Sequence, residues 1–401
     1  MGYGNGLVVI ETHPVQYHAP VYRALQRDHG IPVTAVYGSD FSVAGYRDPE
    51  FGARFAWDTD LLSGYRSHFL ARTADGGAKT AEAVSARGLG RVLRGLDPAA
   101  VLLVGYGPRF CRRSFWQAWR GRYPLLFRAE TTDHARHRSP LKRWLRDRLL
   151  RWLYRRFAAL LYVGRRSLEH YRRLGCPEQR LVFSPYCVDV AALRPGEAGR
   201  AELRRPTRQE LGLADDQLAV LFSGKLVPRK GPDLLLRAIK QLPAEQRQRA
   251  VVLFLGDGEL REPLQQLAAA EPGVQVRFLG FQNQRALSRF YHAADLLVLP
   301  SRCQETWGLV VNEALHHGLP CVVSDAVGCA PDLVEAGRTG EVFAADTEPA
   351  LTEALMRAAA LTGRPEVRDA CRSRVASYTV EAAAAGIAQA YRTVTRQRIS
   401  A

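Results

Sequence analysis

The sequence predicts an α/β protein made of two doubly wound, Rossmann-like domains that face a cleft. Three observations predict it. Short apolar runs alternate with helical segments twice over, first from Leu7 and again from Ala219. Between the two series, from Asp189 to about Asp216, the pattern dissolves into Pro, Gly, Arg and Glu. At 401 residues the chain is also too long for one ordinary core. The expected division is a first domain over 1–190, a linker over 191–215 and a second domain over 216–378. An Ala-rich helix over 379–401 is expected to pack back across the junction.

The elements follow in order. Gly6-Leu7-Val8-Val9-Ile10 reads as the first strand, residues 12–20 as a loop, 21–27 as a helix and 31–37 as the second strand. One crossover helix between two strands is the βαβ pattern of a parallel sheet. Strands at 101–104, 125–127, 160–163 and 181–183 continue it. Leu141, Trp144, Leu145, Leu149, Trp152 and Leu153 have helical spacing, although Arg148 and Arg156 project into their apolar arc. Trp116, Trp119, Trp144 and Trp152 are spaced for helix packing. In the second series, strands are expected at 219–222, 251–255, 274–279, 296–299 and 321–323, each followed by a helix.

Composition narrows the class. Hydrophobic content of 47% indicates a globular protein, and no apolar run approaches the roughly 18 residues that cross a bilayer. No secretory signal is expected. Seven scattered cysteines without a C-x-x-C pair read as reduced thiols in a cytosol. The net charge of +16 is localised: residues 109–173 hold nineteen Arg or Lys against four acidic residues, a surplus of fifteen. Such a segment suits an anionic partner, such as an acidic membrane surface, and equally a solvated basic face in a chain with 51 arginines and five lysines. Nucleic acid is not expected, because no interleaved aromatic platform of known type accompanies the charge.

Three loops carry candidate chemistry. Glu305 follows the strand at 296–299, and Glu313 is expected about two turns into the next helix, on nearly the same face. Loops at the carboxyl edge of an open α/β sheet bind ligands, and a helix N-terminus beside them suits phosphate. Lys225 and Lys230 follow Gly224 between a strand end and a helix, where flexible ammonium groups can neutralise a diphosphate. Gly256 and Gly258 end another strand and let backbone approach a flat ligand. Asp58-Thr59-Asp60 has the spacing of a metal clamp but sits in an irregular loop, and His316-His317 reads as a helix-end dipole partner, so no metal is expected. No G-x-G-x-x-G follows the first strand, and no Ser or Cys nucleophile with its base is evident.

Five motifs then occur in order: G-K-L-x-x-x-K-G at 224–231, L-G-x-G at 255–258, V-x-F-L-G-F at 276–281, A-D-L-L-V-L-P-S at 294–301 and E-x-W-G-L-V-x-x-E-A at 305–314. In these the chain resembles the GT-B glycosyltransferases, specifically the retaining family four (glycosyl transferases group 1), in a subgroup beginning T-H-P-V-Q-Y. The resemblance implies donor binding by Gly224, Lys225, Lys230, Gly256, Phe281, Glu305, Trp307, Gly308, Leu309 and Glu313. Lys225 and Lys230 would hold the diphosphate, Glu305 the sugar hydroxyls and Glu313 the ribose. Glu305, Lys230 and Glu130 are the catalytic candidates. His13, Gln16, Tyr17, Glu130 and Asp133 are the acceptor-side candidates. Where many relatives carry a histidine, this chain reads Arg128-Ala129-Glu130, so that histidine is not carried over.

The expected activity is transfer of a sugar from a nucleoside diphosphate donor, UDP slightly preferred, to an acceptor hydroxyl, with retention and no cofactor. The expected location is cytoplasmic, at times on the inner face of a membrane. The alternatives are a nucleotide-sugar epimerase of the same fold and a non-catalytic polyanion-binding protein with a decayed donor site.

Overall fold

The apolar runs fold into the strands of two parallel sheets. The structure is a computed structural model that describes residues 6–47, 54–55, 59–134, 139–271 and 273–399. In the first half these are β1 (Leu7–Glu11), β2 (Val33–Tyr37), a small antiparallel pair β3 (Tyr46–Arg47) and β4 (Arg54–Phe55), then β5 (Arg66–Phe69), β6 (Ala100–Val104), β7 (Leu125–Arg128), β8 (Ala159–Tyr162) and β9 (Leu181–Phe183). The second half supplies β10 (Leu218–Ser223), β11 (Ala250–Leu255), β12 (Gln275–Gly280), β13 (Leu296–Leu299), β14 (Cys321–Ser324) and β15 (Gly340–Phe343).

The first sheet has the order β5-β2-β1-β6-β7-β8-β9, the second β12-β11-β10-β13-β14-β15. Each reverses direction beside its first strand, between β1 and β6 and between β10 and β13. Crevices at such reversals, outside the carboxyl ends of the strands, are where open α/β sheets bind ligands. Helices cover both faces, so Leu7, Val8 and Val9 are all fully buried, which is why the strands read as unbroken apolar runs. At roughly 25 cal/mol per Å² of apolar surface, these layers supply the main driving force of each domain.

The terminal helix Val380–Ile399 returns to the first domain. Its buried face, Ala383, Ala384, Ile387, Ala388, Ala390 and Val394, packs into the core that holds β1 and the helix Ala19–His29. Gly386 permits the approach, since a Cβ there would lie 1.9 Å from the Phe183 carbonyl oxygen. The two domains also touch directly. Asp332 of the second accepts the Arg165 backbone N–H at 2.9 Å, at the start of the helix Arg165–Arg173, and takes a bond from Tyr378 at 2.8 Å.

Three expectations need correction. The 191–215 stretch is not irregular: it contains the helix Glu197–Glu210, packed on the helix Gln284–Ala293. Its packing face uses arginine stems, and Arg204 and Arg208 bond the carbonyls that end the partner helix and the Asp295 carboxylate. Hydrophobic periodicity does not register such a face. Next, Leu141, Trp144, Leu145 and Leu149 do not join the core; all four are exposed. Last, Glu313 is the fifth residue of the eight-residue helix Leu309–His316, about one turn in rather than two.

Candidate active site

Two turns meet at the carboxyl edge of the second sheet. Gly224 follows β10 and Gly256 follows β11, and the Gly224 N–H bonds the Leu255 carbonyl at 2.9 Å. Gly256 holds a left-handed φ of 144°, and a Cβ on it would lie 2.0 Å from the Gly224 oxygen. Only glycine fits there. Lys225 and Lys230 leave this junction half-buried, and Phe281 lies just past β12, also half-buried.

The loop 300–308 after β13 faces them. Gln304 adopts a left-handed φ of 58°, a conformation that costs a non-glycine residue of order 1–3 kcal/mol and is tolerated where the fold needs it. Next to it the Glu305 carboxylate is held by Ser301 Oγ at 3.0 Å and forms an ion pair with Lys230 Nζ. Both side chains are only slightly exposed. The loop ends at Gly308, which begins the helix Leu309–His316 with no side-chain cap. The first-turn N–H groups of a helix have no partner within it, and the helix dipole is positive there. An ammonium, a carboxylate and an uncapped helix start therefore lie on one short loop and its neighbour.

Trp307 takes no part through its side chain. The indole is buried, donates to Asn312 Oδ1 at 2.9 Å and lies between the rings of Tyr186 and Tyr378. It wedges the loop against the first domain. Its backbone, with that of Gly308 and Leu309, is what lines the helix start.

Glu313 is buried and accepts from Tyr291 at 2.6 Å and from Tyr17, which arrives from the other domain. Burial pushes its carboxyl up to about 7, and the two tyrosine bonds pull it back only in part. The Gln16 side chain also reaches the Tyr17 hydroxyl. His13 stacks on Phe41 and bonds Thr12, and burial lowers its ring to about 4, leaving it neutral at pH 7.

Glu130 lies past β7 and accepts a hydrogen bond from Thr306, a residue of the loop that carries Glu305. Tyr186 also bonds it. Behind Tyr186 runs a buried chain: its hydroxyl is 3.0 Å from His18 Nε2, and His18 Nδ1 is 2.5 Å from Glu11, the last residue of β1. Arg128 holds the 184–186 segment in place through Ser184 Oγ at 3.0 Å and the Pro185 carbonyl at 2.6 Å. Asp133 is placed differently. It joins Arg146, Arg173 and His170, and those partners hold its carboxyl well below the usual range against the opposing pull of burial. It is an ion-pair hub on the wall of an interdomain cavity of about 650 Å³, which Arg143, Arg166 and Arg302 also line.

His317 is not a charged dipole partner. Its Nδ1 meets the Glu313 carbonyl at 2.6 Å, its Nε2 meets Ser288, and burial lowers it to about 3. Among the described residues no cluster has the makings of a metal site. Asp58 lies outside the described residues, and Asp60 accepts the N–H groups of Leu62 and Ser63 in a turn.

The profile described as "Glycosyl transferases group 1" matches residues 204–378, and that described as "Glycosyl transferase 4-like domain" matches residues 14–187. The chain belongs to the group 1 glycosyltransferases. A D-inositol 3-phosphate glycosyltransferase of Actinosynnema mirum is 38% identical over 199 residues, 47% of this chain and 46% of the relative. That of Streptomyces coelicolor is 38% identical over 211 residues, 49% and 44% of the two chains. The chain thus spans about half the length of the curated relatives it matches. Among solved structures, the sucrose-phosphate synthase of Thermosynechococcus elongatus superposes with a TM-score of 0.71 at 19% identity, covering 98% of this chain and 99% of the other. HepE of Anabaena, solved with UDP and glucose, gives 0.64 at 17%, covering 98% of both. At these identities the likeness shows the GT-B fold.

For a group 1 glycosyltransferase, the residues that sequence reasoning missed are Ser301, Thr306, Tyr291, His18 and Glu11. Glu11 alone left a signal: a carboxylate closing an otherwise apolar strand.

Proposed function

We propose that this group 1 glycosyltransferase moves a sugar from a nucleoside diphosphate-sugar to an acceptor hydroxyl, with retention of anomeric configuration. The observation that carries the reading is the Lys230–Glu305 pair beside the uncapped start of the helix Leu309–His316. A diphosphate there meets two lysines and free N–H groups, and the sugar beyond it meets the Glu305 carboxylate. Glu313 supplies acceptor oxygens for ribose hydroxyls. UDP is the donor nucleotide we favour, since a structural neighbour was solved with it.

Expelling the diphosphate is the hard step, because negative charge grows on the leaving oxygens while positive charge grows at the anomeric carbon. Lys225, Lys230 and the helix start stabilise the former without a metal ion. In same-face transfer the departing phosphate oxygen takes the acceptor proton. Glu130, held between Thr306 and Tyr186 across from Glu305, orients the acceptor hydroxyl. The work takes place in the cytoplasm, with the acceptor presented from an anionic surface near the basic helices of the first domain.

A thermal-shift panel of UDP-, GDP-, ADP- and dTDP-sugars tests the reading. One nucleotide series should raise the midpoint in wild type and much less in Lys230→Ala. No shift from any of them would contradict it.

A further inference from the structure

The first domain carries an apolar face that none of the described residues covers. On the helix Pro140–Tyr154, Leu141 is 67% exposed, Trp144 53%, Leu145 55% and Leu149 62%. These positions recur at three- and four-residue intervals and form one stripe, opposite the buried Asp147, Leu150 and Tyr154. The stripe continues through Trp152 onto the helix Arg109–Arg120, where Trp116 and Trp119 lie 5.6 and 6.4 Å from the Trp152 ring and are more than a third exposed. Among the described residues, six of the nine exposed large hydrophobics lie on these two helices. Leaving leucine and tryptophan in water is unfavourable, and a contiguous patch of them marks a binding surface.

The rim of this patch is cationic. Arg148 sits over the Trp144 ring at 5.1 Å, Arg156 over Trp152 at 4.1 Å and Arg120 over Trp116 at 5.6 Å. Lys142, Arg151 and Arg155 lie along the same helix or at its end. Apolar side chains with aromatic rings at the water boundary and long cations around them match the layers of an anionic bilayer: acyl chains, interface and headgroups.

We propose that this face docks on an anionic bilayer, with Leu141, Trp144, Leu145 and Leu149 inserted at the headgroup boundary and the arginines on lipid phosphates. Among the described residues no helix is long and apolar enough to cross a membrane, so the attachment lies in the interface plane. Charge complementarity selects the occupant. An uncharged partner leaves the arginine rim desolvated without compensation, and a second copy of this chain sets one arginine rim against another. Each cation near such a surface multiplies partitioning roughly fivefold. The same helix sends Arg143 and Arg146 into the interdomain cavity that Arg302 lines from the Glu305 loop. A membrane-borne acceptor entering that cavity arrives beside the donor. Only this last step rests on the glycosyl-transfer reading.

Sedimentation with vesicles tests the docking on the full chain. Vesicles of phosphatidylcholine alone are compared with vesicles that also contain phosphatidylglycerol, at low and high salt. Wild type should pellet with the anionic vesicles at low salt, shift its tryptophan emission to the blue and lose most of the binding at high salt. The variant Leu145→Ser/Leu149→Ser alters exposed positions and should keep its thermal midpoint and its UDP affinity while binding the vesicles about tenfold more weakly. A variant that pellets like wild type, or a wild type that stays in solution with both vesicles, overturns the proposal. A dimer in light scattering that the variant dissociates, without vesicle binding, assigns the face to self-association and also overturns it. UDP affinity is read separately, so loss of UDP binding in wild type would count against the transfer reading alone.

Discussion

Tyr17, in the loop after β1, hydrogen-bonds Glu313, in the helix Leu309–His316 of the other domain. The bond spans the domain boundary and occupies the carboxylate that we assign to the ribose. Tyr17 therefore competes with a donor for the same acceptor oxygens. Tyr17→Phe should tighten UDP binding by about three- to tenfold, the worth of one ordinary hydrogen bond released. Calorimetry on wild type and variant measures this, and weaker binding in the variant would show that Tyr17 serves the donor instead.

The same carboxyl makes stability depend on pH. Its folded pKa, about 7, lies above its ordinary value of 4.5. The folded state thus holds the proton more tightly than the unfolded chain does. The contribution is fully present below about pH 4.5 and is lost as pH rises through about 7. Glu313→Gln removes this titration. The thermal midpoint of wild type should fall relative to the variant across that window, whereas parallel curves would mean that Glu313 titrates as an exposed carboxylate.

Gly256→Ala should damage fold and function together. A methyl group 2.0 Å from the Gly224 oxygen, at a φ of 144°, forces the Gly256 turn away from the turn that carries the lysines. We expect a loss of at least about 3 kcal/mol in denaturant unfolding and no measurable donor binding. Gly30→Ala is the control, because φ there is also positive at 64° but no atom lies within 4 Å of the added carbon. Equal losses in the two variants would mean that backbone strain, not the Gly224 contact, is responsible.

What the sequence made legible follows from how far apart the interacting groups lie. Strands buried on both faces announce themselves as apolar runs, and β10, β11, β13 and β14 could be read directly. β5 could not, because Arg66, Ser67 and His68 are exposed on an edge and Phe69 is its one side chain packed on the core. The helix Glu197–Glu210 escaped because arginine stems make its packing face. In the site, the Glu305 loop reads locally as a strand-to-helix turn. The Glu130–Thr306 contact joins residues 176 apart and leaves no trace in spacing. Periodicity also cannot tell an inward face from an outward one, which is why Trp144 and Leu149 read as packing residues.

Glu130→Gln keeps the size of the side chain and its bond from Thr306 but removes the charge. Transfer should fall about 10²- to 10³-fold at saturating donor, with the dissociation constant for UDP changed less than about twofold. A parallel loss of donor affinity would place Glu130 on the donor side. Unchanged transfer would remove it from the reaction.

In the proposed complex, Lys230, Glu305 and the start of the helix Leu309–His316 enclose the reacting end of a nucleotide-sugar. A crystal of the full chain soaked with the UDP-sugar that gives the largest thermal shift measures this directly. The diphosphate is expected on Lys225, Lys230 and the Leu309 amide, with sugar hydroxyls on Glu305 and ribose on Glu313. A donor bound elsewhere, with the Lys230–Glu305 pair undisturbed, would contradict it.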